Sequence, residues 1–453
     1  MICPLSHYAI NHPDHPFLIY PDRTITYSAV DLVVNACSKL LQDHPTEIPL
    51  AIVGSDALQT IAWLIAAART GHIIAITSTK DPPPIRDQYL HHLGINSSTQ
   101  YWPFPEMQDH SSVLTEIVDP HHPVCILFTS GSSGSPKAVV HSFHSLCAAA
   151  RFSQQNIPFT HGDRWLLSLS LWHIGGLMIP LRAIHGGGSV VIKDRQLGEH
   201  VAEDQITHLS VVSTQLNDLL QADQSLPISS LKAVLVGGGA IPPSLVDRAI
   251  ARHIPVHTTY GMTELGSQLC TTPPRSPVEV LRSAGQPLGD WQVIIDDHGE
   301  ICVQGSPLFK GYWMGDHIRD PRDPNGYFHT GDTGVIRDGL LYPTGRVDQM
   351  FISGGENIHP EEIERILMTL CRTVIVVAVP NDRYGHRPIA FVDHPNLSEE
   401  LLLDLDLLLH DTLPKFKHPD HLLPWPSEIP THKPPRVALQ KIATSWIIAQ
   451  RSP

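Results

Sequence analysis

Residues 128–139 read "FTSGSSGSPKAV", and positions 129–137 of that stretch hold two glycines, one proline, four serines and one lysine. A run rich in Gly and Ser is ordinarily a flexible linker. The flanks argue otherwise. The apolar Val124–Leu127 feeds straight into it and Ala138–Val140 leaves it, whereas linkers join domains rather than two core strands. Closely spaced glycines let backbone N–H groups turn inward as an anion nest, hydroxyls add donors, and Lys137 adds a point charge. The stretch lacks the Walker spacing, and strand-like residues follow it before any helix. Thr129, Ser130, Gly131, Ser132, Ser133, Gly134 and Lys137 therefore read as a phosphate-cradling loop of another kind.

The bulk properties set limits around that loop. At 453 residues the chain is too long for one ordinary core, so two or three domains are expected. A net charge of −14 argues against nonspecific binding to nucleic acid or an anionic membrane. Seven scattered cysteines without a Cys-x-x-Cys pair read as reduced, buried thiols and a cytoplasmic setting. The N-terminus shows no basic segment followed by a long apolar core, so no signal peptide is expected. The apolar stretch 57–76 is broken by Arg69, Gly71 and His72 into a buried helix through Ala68 and a strand from Ile73, not a membrane span. The 29 histidines show no metal-ligand spacing, and "HIPVH" at 253–257 is interrupted by Pro255, so no structural metal site is expected.

Short β-branched runs such as 48–54, 124–130, 188–192, 209–213 and 231–239 alternate with helical stretches, the pattern of a largely parallel, doubly covered α/β sheet. "WQVIIDDHGEICVQG" (291–305) reads as a hairpin turning near Asp297–His298–Gly299. The last hundred residues look like a separate α+β unit. There "PEEIERILMTL" (360–370) lines Ile363, Ile366, Leu367 and Leu370 along one helical face, 373–380 reads as a strand, and 398–413 as a second helix. The expected architecture is a large N-terminal region, 1–345, of layered mixed and parallel sheets with helices, and a small mobile domain, 346–453.

The loop "TSGSSGSPK" closely resembles the phosphate loop of the acyl-adenylate-forming superfamily (acyl-CoA synthetases, luciferases and nonribosomal peptide adenylation domains), with Ser133 where threonine is commoner. Further motifs follow in the family's order over nearly the whole chain. "SLWHIGG" (170–176) resembles the segment lining the acyl pocket and implies Trp172, His173 and Gly175 there. "VGGGA" (236–240) resembles the adenine-side turn, with Gly238 and Gly239 letting a flat base approach. "YGMTE" (260–264) is the most specific match. It implies Tyr260 stacked on adenine, Gly261 and Met262 in the ATP-binding turn with Gly261 also lining the acyl pocket, Thr263 on the α-phosphate and Glu264 holding Mg²⁺. "FHTGD" (328–332) implies Asp332 on the ribose hydroxyls. "GRVDQMFISGGENIHPEEIE" (345–364) implies Arg346 near ribose and phosphate, Asp348 as the hinge, and Ser353, Gly354, Gly355 and Glu356 on the CoA side. Singly, each motif has a plainer reading: His173 as a core histidine, "VGGGA" as a tight turn, "TGD" as a surface loop. Their number and order carry the resemblance.

The resemblance implies two half-reactions with ATP, Mg²⁺ and CoA. A carboxylate attacks the α-phosphate and expels pyrophosphate, then a thiol displaces AMP, and the small domain rotates about Asp348 in between. Two anions meet in the first step, so Lys137, Mg²⁺ and a cation from the small domain would offset their repulsion. The family's usual Gly-Lys pair falls here on Pro435–Arg436 within "EIPTHKPPRVAL" (428–439), with Lys433 three residues earlier. Arg436 is the first candidate for that cation and Lys433 the second.

Within the superfamily, the short chain, "ITHLSVVSTQLNDLL" (206–220), "YGMTELGSQLCT" and "WHIGGLMIPLRAIHGGGSVVI" resemble the o-succinylbenzoate–CoA ligases of menaquinone or phylloquinone synthesis. That substrate carries two carboxylates, so Thr214, Ser267, Gln268 and His173 are expected as pocket donors, with Arg182 a solvated helix residue. The rivals are a medium-chain or aryl acyl-CoA ligase and a non-catalytic nucleotide-binding paralogue. An amino-acid adenylation domain would want a carrier domain, for which 453 residues leave no room.

Overall fold

A computed structural model describes residues 1–54, 56–78, 83–95, 118–129, 136–221, 228–394, 398–429 and 436–451. Among these, the buried β-branched runs pair into a nine-stranded sheet. Its order along the sheet is 286–287, 270–271, 256–260, 233–236, 208–211, 164–167, 189–192, 16–19 and 24–26. The strands from 256–260 to 16–19 are all parallel, and those at 208–211 and 233–236 are buried at every position. Such strands need cover on both faces. A six-stranded sheet carries 50–53, 74–77 and 123–129 in parallel, then 137–142 and 311–313 antiparallel.

The helix through the apolar stretch 57–76 runs over Ala57–Thr70, two residues beyond the expected end at Ala68. Asp56 caps it, accepting from the Gln59 N–H, and Gly71 stops it with φ +72°. The hairpin at 292–304 forms as expected, with Asp296 Oδ1 accepting from the N–H groups of His298 and Glu300. It belongs to a four-stranded antiparallel sheet completed by 328–337 and 340–346. All seven cysteines are buried and free.

Beyond residue 350, strands 351–353, 356–358, 373–381, 385–393 and 421–424 form their own sheet, packed by helices Pro360–Leu367, Glu399–Thr412 and Arg436–Arg451. The first of these ends at Leu367, so Leu370 lies past the helix and is exposed rather than on its buried face. The helix stops there because the following turn hands the chain to the strand starting at Thr373. No helix among the described residues is long and apolar enough to cross a membrane.

Candidate active site

In an open parallel sheet, ligands gather beyond the carboxyl ends of the strands. Four neighbouring strands of the nine-stranded sheet end on sequence-predicted residues. Strand 164–167 leads to Trp172 and His173, 208–211 to Thr214, 233–236 to Gly238 and Gly239, and 256–260 to the turn at 261–268. The second sheet contributes Thr129 and Lys137, which face each other as the last and first paired residues of adjacent antiparallel strands. Ser130, Gly131, Ser132, Ser133 and Gly134 lie outside the described residues.

The 260–268 turn is shaped by close approach. A Cβ on Gly261 would sit 1.8 Å from the Ser267 carbonyl oxygen, so no other residue fits. Met262 leads into a single 3₁₀ turn, Thr263–Leu265. Two side chains from the second sheet hold that turn. His141 Nε2 donates to the Thr263 carbonyl at 2.7 Å, and Tyr312 Oη donates to Glu264 Oε1 at 2.9 Å. Burial pushes the His141 imidazole down to about 4, so it donates as a neutral ring. Glu264 is 4% exposed, and burial raises its carboxyl above the usual range, opposed by the Tyr312 hydrogen bond and by Lys137. Lys137 Nζ lies 5.4 Å from the centre of the Tyr312 ring. A buried carboxylate with a raised pKa and one oxygen already held is a group that gains from a cation at its other oxygen, so the residues fit a divalent metal.

The ribose side is fully paired within the protein. Tyr260 Oη donates to Asp332 Oδ2 at 2.7 Å, and Arg346 Nη1 donates to Asp332 Oδ1 at 3.1 Å. Asp332 and Arg346 are directly opposed on strands 328–337 and 340–346. Arg346 turns its Nε to Asp348 Oδ1 at 2.9 Å, so Asp348 and Asp332 share one guanidinium. Gly238 takes φ +82°, and a Cβ on Gly239 would meet nothing within 4 Å, leaving that side of the turn open to a flat ligand.

On the acyl side the structure overturns one expectation. Arg182 is not a solvated helix residue: it is 2% exposed, on a helix, Ile174–Gly186, that is otherwise almost wholly apolar. Its Nη2 donates to Gln268 Oε1 at 2.8 Å and reaches Ser267 Oγ at 3.4 Å, while its guanidinium sits 5.3 Å from the Trp165 ring. Arg182 Nε and Nη1 are buried without a hydrogen-bond partner. Burial pushes the group down to about 9, which leaves it charged at neutral pH. The helix face is fixed by Gly176, where a Cβ would lie 2.1 Å from the Ser170 carbonyl oxygen. His173 caps the same helix and is exposed, with its ring 6.0 Å from that of Trp172; Gly175 packs on Leu169. Thr214 is exposed at the first turn of helix Ser213–Gln221. Sequence reading missed Arg182, His141 and Tyr312. A lone charge in the apolar run 174–186 was the available signal for the first, whereas the other two announce themselves only through strand pairing.

In the C-terminal unit, Gly354 and Gly355 take φ +61° and +93° at the tip of a tight hairpin, with Glu356 exposed beside them and Ser353 buried, accepting from Arg387 at 3.3 Å. Arg436 opens the last helix and is engaged inside this unit: Nη1 donates to Glu364 Oε1 at 2.7 Å and to the Val376 carbonyl. Lys433 and Pro435 lie outside the described residues.

Comparison with known proteins agrees with this geometry. Residues 88–313 match the AMP-binding enzyme family. The chain is 32% identical over 383 residues to the 2-succinylbenzoate–CoA ligase of Escherichia coli K12, covering 82% of this chain and 81% of that one. It is 34% identical over 326 residues to the same ligase from Salmonella typhimurium, covering 72% and 69%. The fold superposes on the o-succinylbenzoate CoA synthetase of Bacillus subtilis in complex with its acyl-adenylate intermediate, with a TM-score of 0.85, 27% identity and coverage of 97% and 98%. The same enzyme in complex with ATP and magnesium ion gives a TM-score of 0.85 at 26% identity, covering 97% and 99%. This chain belongs to the AMP-binding enzyme family and, within it, to the 2-succinylbenzoate–CoA ligases.

Proposed function

We propose that this protein joins o-succinylbenzoate to CoA at the expense of ATP, by way of an acyl-adenylate, in menaquinone or phylloquinone biosynthesis. The observation that carries the choice of acid is Arg182. A buried arginine with two nitrogens unpaired is costly unless an anion completes it. A substrate with a second carboxylate supplies that anion, whereas a medium-chain or simple aryl acid leaves the cost standing. The Ser267 hydroxyl, already beside the guanidinium, adds a donor at the same spot, while Gln268 holds Arg182 through Oε1 and gives its Nε2 to Thr271 Oγ1 at 2.8 Å.

Thr263 and Lys137 serve the α-phosphate, and Glu264 holds the metal, with Tyr312 and His141 as positioning residues behind them. Mg²⁺, when bound with ATP, supplies charge compensation for the phosphates. The reacting carboxylate oxygen forms a bond to the α-phosphorus as the α–β bridging P–O bond breaks and pyrophosphate leaves; the CoA thiol then displaces AMP. Asp332 accepts from the ribose hydroxyls, Tyr260 offers its ring to the adenine, and the Gly238–Gly239 turn admits the base. Asp348 is the hinge of a mobile domain starting at 346, a reading supported by the separate apolar cores on either side of it. The face carrying Ser353, Gly354, Gly355 and Glu356 then serves CoA.

The test is mass-spectrometric detection of acyl-CoA from the purified protein with ATP, Mg²⁺ and CoA, o-succinylbenzoate competing against benzoate and octanoate. A dominant o-succinylbenzoyl-CoA product is expected. Preference for benzoate or octanoate would replace this reading with the aryl or medium-chain ligase. ATP binding with no product from any acid would replace it with the non-catalytic paralogue.

A further inference from the structure

Away from the nucleotide, three adjacent strands of the four-stranded sheet bring a thiol, an imidazole and carboxylates to one place. Cys302 is paired with Ile294 on one side and directly opposed to His329 on the other. Asp296 lies two residues beyond Ile294, on the same face by strand alternation. One donor atom from each of Asp296, Cys302 and His329 lies within 4.8 Å of the others. Cys302 Sγ is 3.4 Å from His329 Nδ1. Glu300 Oε2 stands 3.1 Å from His329 Nδ1, and Asp323 Oδ2 3.6 Å from His329 Nε2.

The carboxylates are held in place from behind. Asp296 Oδ1 accepts from the His298 and Glu300 N–H groups, Glu300 Oε1 from the Gly331 N–H at 2.7 Å, and Asp323 Oδ1 from those of Asn325 and Tyr327. The second oxygens of Glu300 and Asp323 face the His329 ring. Backbone-oriented ligands are what a metal site requires of its outer shell. Cys302 is 1% exposed at the bottom and the His329 side chain 43% exposed at the top, which gives the site a floor and an entrance.

We propose that Cys302, His329 and Asp296, with Glu300 or Asp323 as the fourth ligand, bind one thiophilic divalent cation of the Zn²⁺ class. A sulfur, a nitrogen and carboxylate oxygens suit Zn²⁺ or Co²⁺, and exclude a preference for Mg²⁺ or Ca²⁺, which take oxygen ligands. This site is separate from Glu264 and owes nothing to the assignment of the substrate. It adjoins the nucleotide side through Glu300, which holds the N–H of Gly331 next to Asp332. No ligand spacing betrays it in the sequence, because positions 296, 302 and 329 meet only through antiparallel pairing.

The experiment is a Co²⁺ titration of the metal-stripped full chain without nucleotide, read by thiolate-to-cobalt charge-transfer absorption, which histidines alone do not produce. One equivalent should develop the band, and Cys302→Ser should abolish it while Cys371→Ser leaves it. Cys302 is a core residue, so His329→Ala and Asp296→Asn, on the open side, test the site without disturbing that core. Each should weaken Co²⁺ binding by about tenfold or more. Absence of the band, its survival in Cys302→Ser, or unchanged affinity in both His329→Ala and Asp296→Asn would overturn the proposal.

Discussion

The walls proposed to take the ribose and the acid treat charge in opposite ways. At the ribose wall, Asp332 has both oxygens occupied, by Tyr260 and Arg346, and Arg346 is in turn braced by Asp348. At the acyl wall, Arg182 is more deeply buried but uses only Nη2, leaving Nε and Nη1 unpaired. A nucleotide entering the first wall exchanges one set of hydrogen bonds for another. An acid entering the second completes a group that the protein alone leaves incomplete. On the proposed assignments, affinity for ATP is shared over several residues, whereas choice of acid is concentrated in one.

Removing Arg182 breaks this contrast most sharply. Arg182→Met should lower kcat/KM for o-succinylbenzoate by about 10²–10³-fold, the usual cost of truncating one partner of a buried charge pair. KM for ATP should hold, and the ratio of benzoate to o-succinylbenzoate turnover should rise. Because the unliganded guanidinium is buried and half-paired, the variant's Tm should be no lower than that of the parent. A loss of ATP binding equal to the loss of acid binding would show that Arg182 supports the whole site rather than the acid.

The cation from the C-terminal unit gives the next largest effect. If Arg436 supplies it, Arg436→Ala abolishes acyl-adenylate formation, by about 10²–10³-fold, and spares thioester formation from supplied acyl-adenylate. The structure adds a second expectation. Glu364 is 6% exposed, and without Arg436 it loses its ion pair, so this variant should also melt several degrees lower. Loss of adenylation in Lys433→Ala at unchanged Tm, with Arg436→Ala merely less stable, would transfer the role to Lys433.

On the ribose wall the effects should be smaller, because they are shared. Asp332→Asn removes the charge between Tyr260 and Arg346 and should raise KM for ATP by about 10–10²-fold with the acid KM unchanged. Tyr312→Phe leaves Glu264 in place without its hydrogen bond. The Mg²⁺ concentration for half-maximal ATP binding should rise by about tenfold, measured by titration calorimetry at fixed ATP. An unchanged Mg²⁺ requirement would mean that Tyr312 only packs against Lys137.

The two walls also differ in how far they were legible in the sequence. "YGMTE" runs over the end of strand 256–260 and "FHTGD" opens strand 328–337, so the residues proposed to touch nucleotide are neighbours in the chain. The buried strands showed themselves through β-branched runs for the same local reason. Arg182 meets Ser267 and Gln268 across 85 and 86 residues, and its helix register alone does not say whether the one charged side chain points in or out. Tyr312 reaches Glu264 because strand 311–313 pairs beside 137–142, a non-local pairing with no local signature. The same reason hid the cluster at Cys302. Arg436 was read from its alignment with a lysine; its partner, Glu364, lies 72 residues away.

The weakest expected effect lies where the two units of the chain meet. Glu361 presses on the strand before the hinge: a Cβ on Gly345 would sit 2.7 Å from its Oε2, and that oxygen is buried without a partner. Burial pushes the carboxyl up from 4.5 to about 7, partly offset by Arg436. With its pKa higher in the folded than in the unfolded chain, Glu361 binds more protons when folded between pH 4.5 and 7. Stability from this group is therefore present below pH 4.5, falls as pH rises through 7, and is constant above that. Glu361→Gln keeps a neutral group at every pH. It should match the parent near pH 4.5 and exceed it above pH 7 by a few degrees in Tm. Melting curves of both proteins across that range read the difference directly. An equal offset at all pH values would mean that the substitution acts through packing against Gly345, and that the charge at the hinge is already compensated.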